Sequence, residues 1–186
     1  MDETPRPVPG FPPRVILVGF MTAGKTSVGR RLAARLGRRF IDLDAEIERA
    51  AGSSIPVLFA SAGEAAFRDW EARVTRSLPD DEPFVLAAGG GWMCRPELRD
   101  RWPDAVRVWL RVSPAEAMRR LEAAPSARPL LAVEEPARAI ETLLAERTAA
   151  YRMAEIHLET DGRDPEEVTE AALGALAGAT PPPDPA

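Results

Sequence analysis

Residues 19–26, Gly19-Phe20-Met21-Thr22-Ala23-Gly24-Lys25-Thr26, match the phosphate-binding pattern G-x-x-x-x-G-K-S/T, the P-loop, which occurs in one class of α/β domain. An apolar run at residues 15–18 precedes it, and a helical pattern at residues 26–36 follows it. Strand, glycine loop and helix are the context that the pattern requires, since backbone N–H groups and a helix N-terminus together hold phosphate. Lys25 is the only lysine among 24 basic residues, so a compact ammonium is kept where a planar guanidinium would fit poorly.

The composition sets broad limits on the class of protein. A chain of 186 residues with 45% hydrophobic residues is the size of one domain with a proper core. Its net charge of −5 argues against a general nucleic-acid or anionic-membrane binder. Cys94 is the only cysteine, so no intrachain disulfide can form and a reducing, cytoplasmic location is expected. No long apolar stretch opens the chain, so we expect neither a signal peptide nor a membrane helix.

Proline-rich ends flank the predicted domain. Residues 1–13 and 178–186 are crowded with prolines, which favour extended conformations and form no core, so both are expected to be disordered tails. The domain is placed at residues 14–177. Within it, apolar runs alternate with helical patterns, which predicts an α/β fold with a five-stranded parallel sheet and helices on both faces, three layers in all.

The predicted elements follow the hydrophobic periodicity. The predicted strands are residues 15–18, 39–43, 84–88, 106–111 and 156–160. The predicted helices are residues 26–36, 44–51, 55–61, 64–78, 96–101, 114–123, 136–151 and 165–176. Ser113 and Asp164 suit the N-cap position before two helices that begin with proline.

Ligands of such sheets bind beyond the carboxyl ends of the strands, so the residues after each strand are candidates for the site. Asp42-Leu43-Asp44 follows the second strand. One carboxylate could hold Mg²⁺ near Thr26, directly or through water, while the other reaches a substrate hydroxyl. Alternatively, Asp44 is only the N-cap of the next helix.

Two further groups of residues suggest an acceptor site. Gly89-Gly90-Gly91 follows the third strand, either as a plain tight turn or because a ligand approaches the backbone closely. Arg68 and Glu71 share a helix face, either as a surface ion pair or as an arginine oriented to receive a carboxylate. A stretch at about residues 122–135, which contains Arg128, is rich in Pro and Ala and is expected to be a mobile lid.

Taken together, these motifs resemble the shikimate kinases, P-loop proteins similar to the nucleoside-monophosphate kinases. The resemblance covers about residues 15–168 and rests on the order and spacing of its pieces. The pieces are residues 19–26, residues 40–44, Ser54-Ile55 with Phe59, Gly63-Glu64 leading to Phe67-Arg68 and Glu71, residues 89–91, residues 128–131, and Arg147 with Tyr151. The family phosphorylates the 3-hydroxyl of shikimate with ATP and Mg²⁺, and the resemblance implies a P-loop kinase fold and this activity.

The resemblance also implies a role for each matching residue. The catalytic residues would be Lys25, Asp44 and Arg128. The nucleotide would be bound by Gly19, Thr22, Ala23, Gly24, Lys25, Thr26, Ser27, Arg128 and Arg163. Shikimate would be bound by Asp44, Arg68, Gly89, Gly90, Gly91 and Arg147, and Mg²⁺ by Thr26 and Asp42. The expected partners are ATP and shikimate, with no nucleic acid, no membrane and a monomeric state.

One departure from the family pattern concerns the acceptor. Trp92 follows the triple glycine directly, where we expect a large ring to narrow the pocket or shift specificity. Two other hypotheses stay open at this point. The chain could be a kinase of another carboxylated polyol such as gluconate, or a non-catalytic nucleotide-binding module, although an intact Lys25, Asp42, Asp44 and Arg128 counts against the latter.

Overall fold

A five-stranded, wholly parallel sheet in the order β2-β3-β1-β4-β5 forms the centre of the computed structural model, which describes residues 8, 10–123, 129–131 and 133–179. The strands are β1 (Arg14–Val18), β2 (Arg39–Asp42), β3 (Phe84–Ala87), β4 (Ala105–Arg111) and β5 (Ile156–Glu159). Every end lies within one residue of its predicted position. The predicted sheet is therefore confirmed.

Helices cover both faces of this sheet. Within the described residues they are α1 (Lys25–Leu36), α2 (Leu43–Ala51), α3 (Ile55–Ser77), α4 (Pro96–Arg99), α5 (Pro114–Ala123), α6 (Pro136–Tyr151) and α7 (Pro165–Gly178). The break predicted between the helices at residues 55–61 and 64–78 is confirmed: α3 is interrupted at Gly63, where φ is 78° and ψ is 179°, outside the helical region. The predicted N-caps are confirmed: Ser113 accepts from the Glu116 amide, and Asp164 accepts from two amides of α7.

Side chains of the strands alternate between two hydrophobic cores. Along β1, Ile16 and Val18 pack with residues of α2 and α3, whereas Val15 and Leu17 pack with residues of α1 and α7. All four are completely buried. Such continuous apolar runs are typical of central parallel strands, which are covered on both sides.

The strand order brings the candidate site together. Since β2, β3 and β1 are parallel neighbours, their carboxyl ends lie side by side at one edge of the sheet. The P-loop leaves β1, Asp42 ends β2, and Gly89-Gly90-Gly91 comes soon after the end of β3. Three segments that are far apart in the sequence therefore meet above one edge.

Packing against the domain begins before the predicted boundary at residue 14. Pro12 is buried, Phe11 packs against the core beneath α1, and the Arg38 guanidinium donates to the carbonyl groups of both. Phe11 and Pro12 therefore pack against the domain although they precede residue 14. Across the described ranges, none of the helices is both long enough and apolar enough to span a membrane.

Candidate active site

The P-loop forms one wall of a cavity of about 560 Å³ at the carboxyl edge of the sheet. Gly19 and Gly24 have φ angles of 133° and 89°, which favour glycine. A Cβ atom at Gly19 would also lie 2.4 Å from the Leu110 carbonyl oxygen, so that position has no room for a side chain. The first residues of α1 line the same cavity, and they supply the amide groups and the helix dipole that favour an anion.

Lys25 lies on this wall and is largely buried. Its ammonium group donates to the carbonyl oxygens of Gly19 at 3.0 Å and Phe20 at 2.9 Å. Both bonds fold the side chain back over the loop. The positive charge is thereby held beside the cavity that a phosphate chain would occupy.

Thr26 and Asp42 place two oxygen ligands next to the loop. The Thr26 hydroxyl donates to the Asp42 carboxylate at 2.8 Å. The other carboxylate oxygen accepts from the Ala45 amide at 3.4 Å, which makes Asp42 the N-cap of α2. The alternative that Asp44 is this N-cap is therefore wrong, because Asp44 already lies in the first turn of the helix.

These oxygen groups suit a hard cation such as Mg²⁺, which accepts one carboxylate and keeps several waters. Within the described ranges, no group of three or more His, Cys, Asp or Glu side chains could hold a metal on its own. One hydroxyl and one carboxylate leave room for phosphate and water oxygens around such a cation.

Asp44 stands where two cavities meet. It lines the cavity of about 560 Å³ and a neighbouring one of about 160 Å³. The side chain is open towards these spaces, but protein surrounds it elsewhere, and this burial raises its pKa against the opposing charge of Lys25. A carboxyl group with a raised pKa beside a cavity is suited to accept a proton.

The smaller cavity has an apolar wall and a charged end. Its apolar wall contains Met21, Ile55, Phe59, Phe67, Pro129 and Leu130. Arg68 and Arg147 also line it, together with Gly90 and Gly91. A small carbocyclic or sugar acid matches this combination, because its ring can cover the apolar wall while its carboxylate meets the arginines.

Arg68 is fixed by two carboxylates of its own helix. It donates to Glu71 at 3.0 Å and to Glu64 at 2.8 Å. The Glu71 side chain is completely buried, and its Oε1 has no hydrogen-bond partner among the described residues. Burial raises the pKa of Glu71 despite the nearby Arg68 charge. The surface-pair alternative is therefore wrong for Arg68 and Glu71.

The triple glycine makes room for these side chains. None of the three has a positive φ, so the turn itself does not require glycine. A Cβ atom at Gly89 would lie 2.4 Å from Glu71 Oε1, and one at Gly91 would lie 2.7 Å from the Arg68 guanidinium. At Gly90, a Cβ atom would lie 3.1 Å from the guanidinium of Arg147 on α6. The glycines therefore allow both arginines to approach the loop closely.

A third cavity, of about 410 Å³, extends from the P-loop to the turn before α7. It is lined by five residues that are predicted to contact the nucleotide: Thr22, Ala23, Gly24, Ser27 and Arg163.

Arg120 is a site residue that the sequence alone did not indicate, and it borders both this third cavity and the P-loop cavity. It donates to the Thr22 carbonyl at 3.1 Å and also to Thr160. Its only local signal is an i, i+4 pair with Glu116, which is equally typical of exposed helix surfaces.

Glu48 was also missed. It borders both the P-loop cavity and the smaller cavity, and its carboxylate accepts from the Ile55 amide at 2.8 Å. This bond ties α2 to the first turn of α3, which carries part of the apolar wall.

The expectations for Trp92 and Arg128 are not confirmed by the structure. Trp92 does not border the acceptor cavity: its ring is completely buried in the core, and its Nε1 donates to the Thr75 hydroxyl at 3.1 Å. The expectation that it narrows the pocket is wrong, because the chain enters a 3₁₀ turn (Trp92–Cys94) that directs the ring inward. Arg128 lies outside the described residues.

The three cavities share lining residues and form one cleft, with a phosphate-binding loop at its centre and paired arginines at one end. A parallel sheet with a P-loop at its carboxyl edge and two arginines in the neighbouring cavity is the arrangement expected of a P-loop kinase that acts on a small acid. The shikimate kinase family model matches residues 21–177. A shikimate kinase of Nitrobacter winogradskyi is 46% identical over 161 residues, which are 86% of this chain and 75% of that protein. The chain belongs to the shikimate kinase family.

Solved structures agree with this assignment. The shikimate kinase of Acinetobacter baumannii in complex with shikimate has a TM-score of 0.83 and 36% identity, covering 90% of this chain and 94% of that one. A gluconokinase of Sinorhizobium meliloti has a TM-score of 0.63 and 19% identity over 91% of this chain and 94% of that one. At that identity, the second likeness shows the fold alone.

Proposed function

We propose that this protein transfers the γ-phosphoryl group of ATP to the 3-hydroxyl of shikimate, giving shikimate 3-phosphate and ADP. One observation carries the proposal: Asp44, Arg68 and Arg147 border a single small cavity beside the P-loop. The arginines suit a carboxylate, and Asp44 suits a hydroxyl on the opposite part of the same ring.

The chemistry follows from positioning and charge, as in phosphoryl transfer generally. The P-loop amides and Lys25 hold the phosphates, and Asp44 takes the proton of the attacking hydroxyl. The hydroxyl oxygen bonds to the γ-phosphorus while the bond from that phosphorus to the bridging oxygen breaks, which releases ADP. Donors that are fixed in advance stabilise the charge that develops on the phosphoryl oxygens.

Mg²⁺ is the proposed cofactor, held by Thr26 and Asp42 together with phosphate and water oxygens. When bound, it neutralises charge on the phosphate oxygens of ATP. Arg163 borders the cavity proposed for the nucleoside part of ATP. Arg128, which lies outside the described residues, is proposed to contact the transferring phosphoryl group, as the resemblance implies. We also propose that the protein acts as a cytoplasmic monomer.

Product analysis by ³¹P NMR tests this proposal. With ATP, Mg²⁺ and shikimate, the wild-type protein is expected to give one new phosphomonoester signal, coupled to the proton at the 3-position, along with ADP. Lys25→Ala is the matched control and should give only residual signal. ADP that forms without a sugar-acid phosphoester, or a phosphoester at another hydroxyl, would overturn the proposal.

A further inference from the structure

Tyr151, the last residue of α6, contacts two parts of the acceptor site at once. Its hydroxyl donates to the Gly90 carbonyl oxygen. The guanidinium of Arg147, one helical turn earlier, lies against the same glycine, since a Cβ atom at Gly90 would be 3.1 Å from Nη1 of Arg147. Its positive charge opposes the burial that raises the pKa of Tyr151, so the guanidinium and the hydroxyl are close neighbours. One side chain thus links the glycine loop to an arginine that lines the acceptor cavity.

The tyrosine ring is held independently of any ligand. It is completely buried and packs against Trp109 of β4, with ring centroids 5.6 Å apart and an angle of 32° between the planes. Packing against the sheet therefore fixes where the hydroxyl lies. A buried tyrosine needs a partner for its hydroxyl, but the core would be filled equally well by phenylalanine.

The two arginines of the cavity differ in how they are held. Arg68 pairs with Glu64 and Glu71. Among the described residues, Arg147 has no ion-pair partner within 4 Å, although it is largely buried. A hydroxyl group can orient a guanidinium without neutralising it, so Arg147 keeps its charge for an incoming anion.

We infer that Tyr151 is a positioning residue for the acid acceptor, because its hydroxyl holds the Gly90 carbonyl and the Arg147 guanidinium in one arrangement. The inference rests on the proposed function for the identity of the acid, and on the structure for the arrangement itself. Without the hydroxyl, Arg147 can rotate away from the cavity and Gly90 loses its restraint. Acceptor binding then weakens, while the nucleotide side of the cleft is unchanged.

The test is Tyr151→Phe in the full-length protein, with steady-state kinetics in both substrates. KM for shikimate should rise on the order of tenfold, which is the effect of losing a hydrogen bond to a charged group. KM for ATP, kcat and the melting temperature should stay close to wild type. Trp109→Phe is the matched control: it changes the packing of the ring but keeps the hydroxyl, and it should alter KM for shikimate much less.

A second measurement separates this inference from the proposed function. The ¹⁵N NMR signal of the Arg147 Nε–H, assigned with Arg147→Lys, should shift in Tyr151→Phe even if shikimate is not the substrate. An unchanged Arg147 signal together with an unchanged KM for shikimate would overturn the inference. So would equal losses in both KM values and in thermal stability, because these indicate a merely structural tyrosine. If the wild-type protein fails to phosphorylate shikimate but the Arg147 signal shifts, only the proposed function fails.

Discussion

The nucleotide half and the acceptor half of the cleft are built in different ways. The nucleotide half is largely one continuous stretch, from β1 through the P-loop to α1, and much of its binding capacity comes from backbone groups. The acceptor half takes Asp44 from α2, Arg68 from α3 and Arg147 from α6, and depends on side chains. A site made of backbone groups forms from one local motif. A site made of side chains from several helices forms only when the whole domain is folded.

Because the two halves are built differently, substitutions in one half should leave ligand binding in the other half intact. The largest loss of activity should come from substitution of Lys25. Lys25→Ala should lower kcat by about 10²- to 10³-fold, the usual effect of removing one fixed donor from a developing charge. Lys25→Arg should also be poor, because a planar guanidinium does not replace the ammonium. ADP release measures the loss, and a thermal melt close to wild type would show that the fold is kept. Turnover near wild type in Lys25→Ala would contradict the P-loop assignment.

The next largest effect should come from the acceptor arginines. Arg68→Ala and Arg147→Ala should each weaken shikimate binding about ten- to a hundredfold, since a hydrogen bond to a charged group contributes about 1.5–3 kcal/mol. Affinity for ATP should change little, because neither side chain lines the P-loop cavity. Isothermal titration of both ligands gives the comparison. If ATP affinity falls as much as shikimate affinity, the two halves are not separate.

Substitution of Arg120 should weaken ATP binding and not shikimate binding, and by a smaller factor than the acceptor arginines. Arg120→Ala should weaken ATP binding roughly two- to tenfold and leave shikimate binding unchanged. Its guanidinium donates charge-assisted hydrogen bonds to Thr22 and Thr160, and these affect ATP through the position of the P-loop, so only part of their energy of about 1.5–3 kcal/mol should appear in ATP binding. Arg138→Ala is the control, since that side chain is 81% exposed, lies in the first turn of α6 and lines neither the P-loop cavity nor the third cavity. Nucleotide titration would count against this role if both variants bind ATP alike.

The smallest expected effect concerns the free energy of unfolding, and it comes from the substitution Asp44→Asn. Burial raises the pKa of Asp44 above the unfolded value, so the ionised form costs folding free energy. The free energy of unfolding therefore falls as pH rises from about 4 through the raised pKa, and Asp44→Asn should remove that fall. Because the side chain is open to two cavities, solvent weakens this effect, and the variant should be slightly more stable than wild type at pH 7 and equal or less stable at pH 3. Urea unfolding at both pH values tests the sign, and a less stable variant at pH 7 would contradict it.

The same contrast explains what could be predicted from the sequence. The P-loop and the Asp42-Leu43-Asp44 turn lie in continuous stretches whose spacing already implies their placement at strand ends. The direction of an isolated side chain depends on packing that periodicity does not describe. For this reason Trp92 was placed beside the acceptor although its ring points into the core. Arg120 could not be separated from 22 other arginines, because its partners come from distant loops.

ADP release with shikimate, its methyl ester and gluconate at equal concentration measures whether the two arginines select the acceptor. If the paired arginines select a carboxylate on the shikimate ring, shikimate should give the highest kcat/KM. The methyl ester should lose at least tenfold through KM, because it carries no charge for Arg68 and Arg147 to bind. Gluconate should stay near background. Equal rates with the ester, or faster turnover of gluconate, would contradict the account.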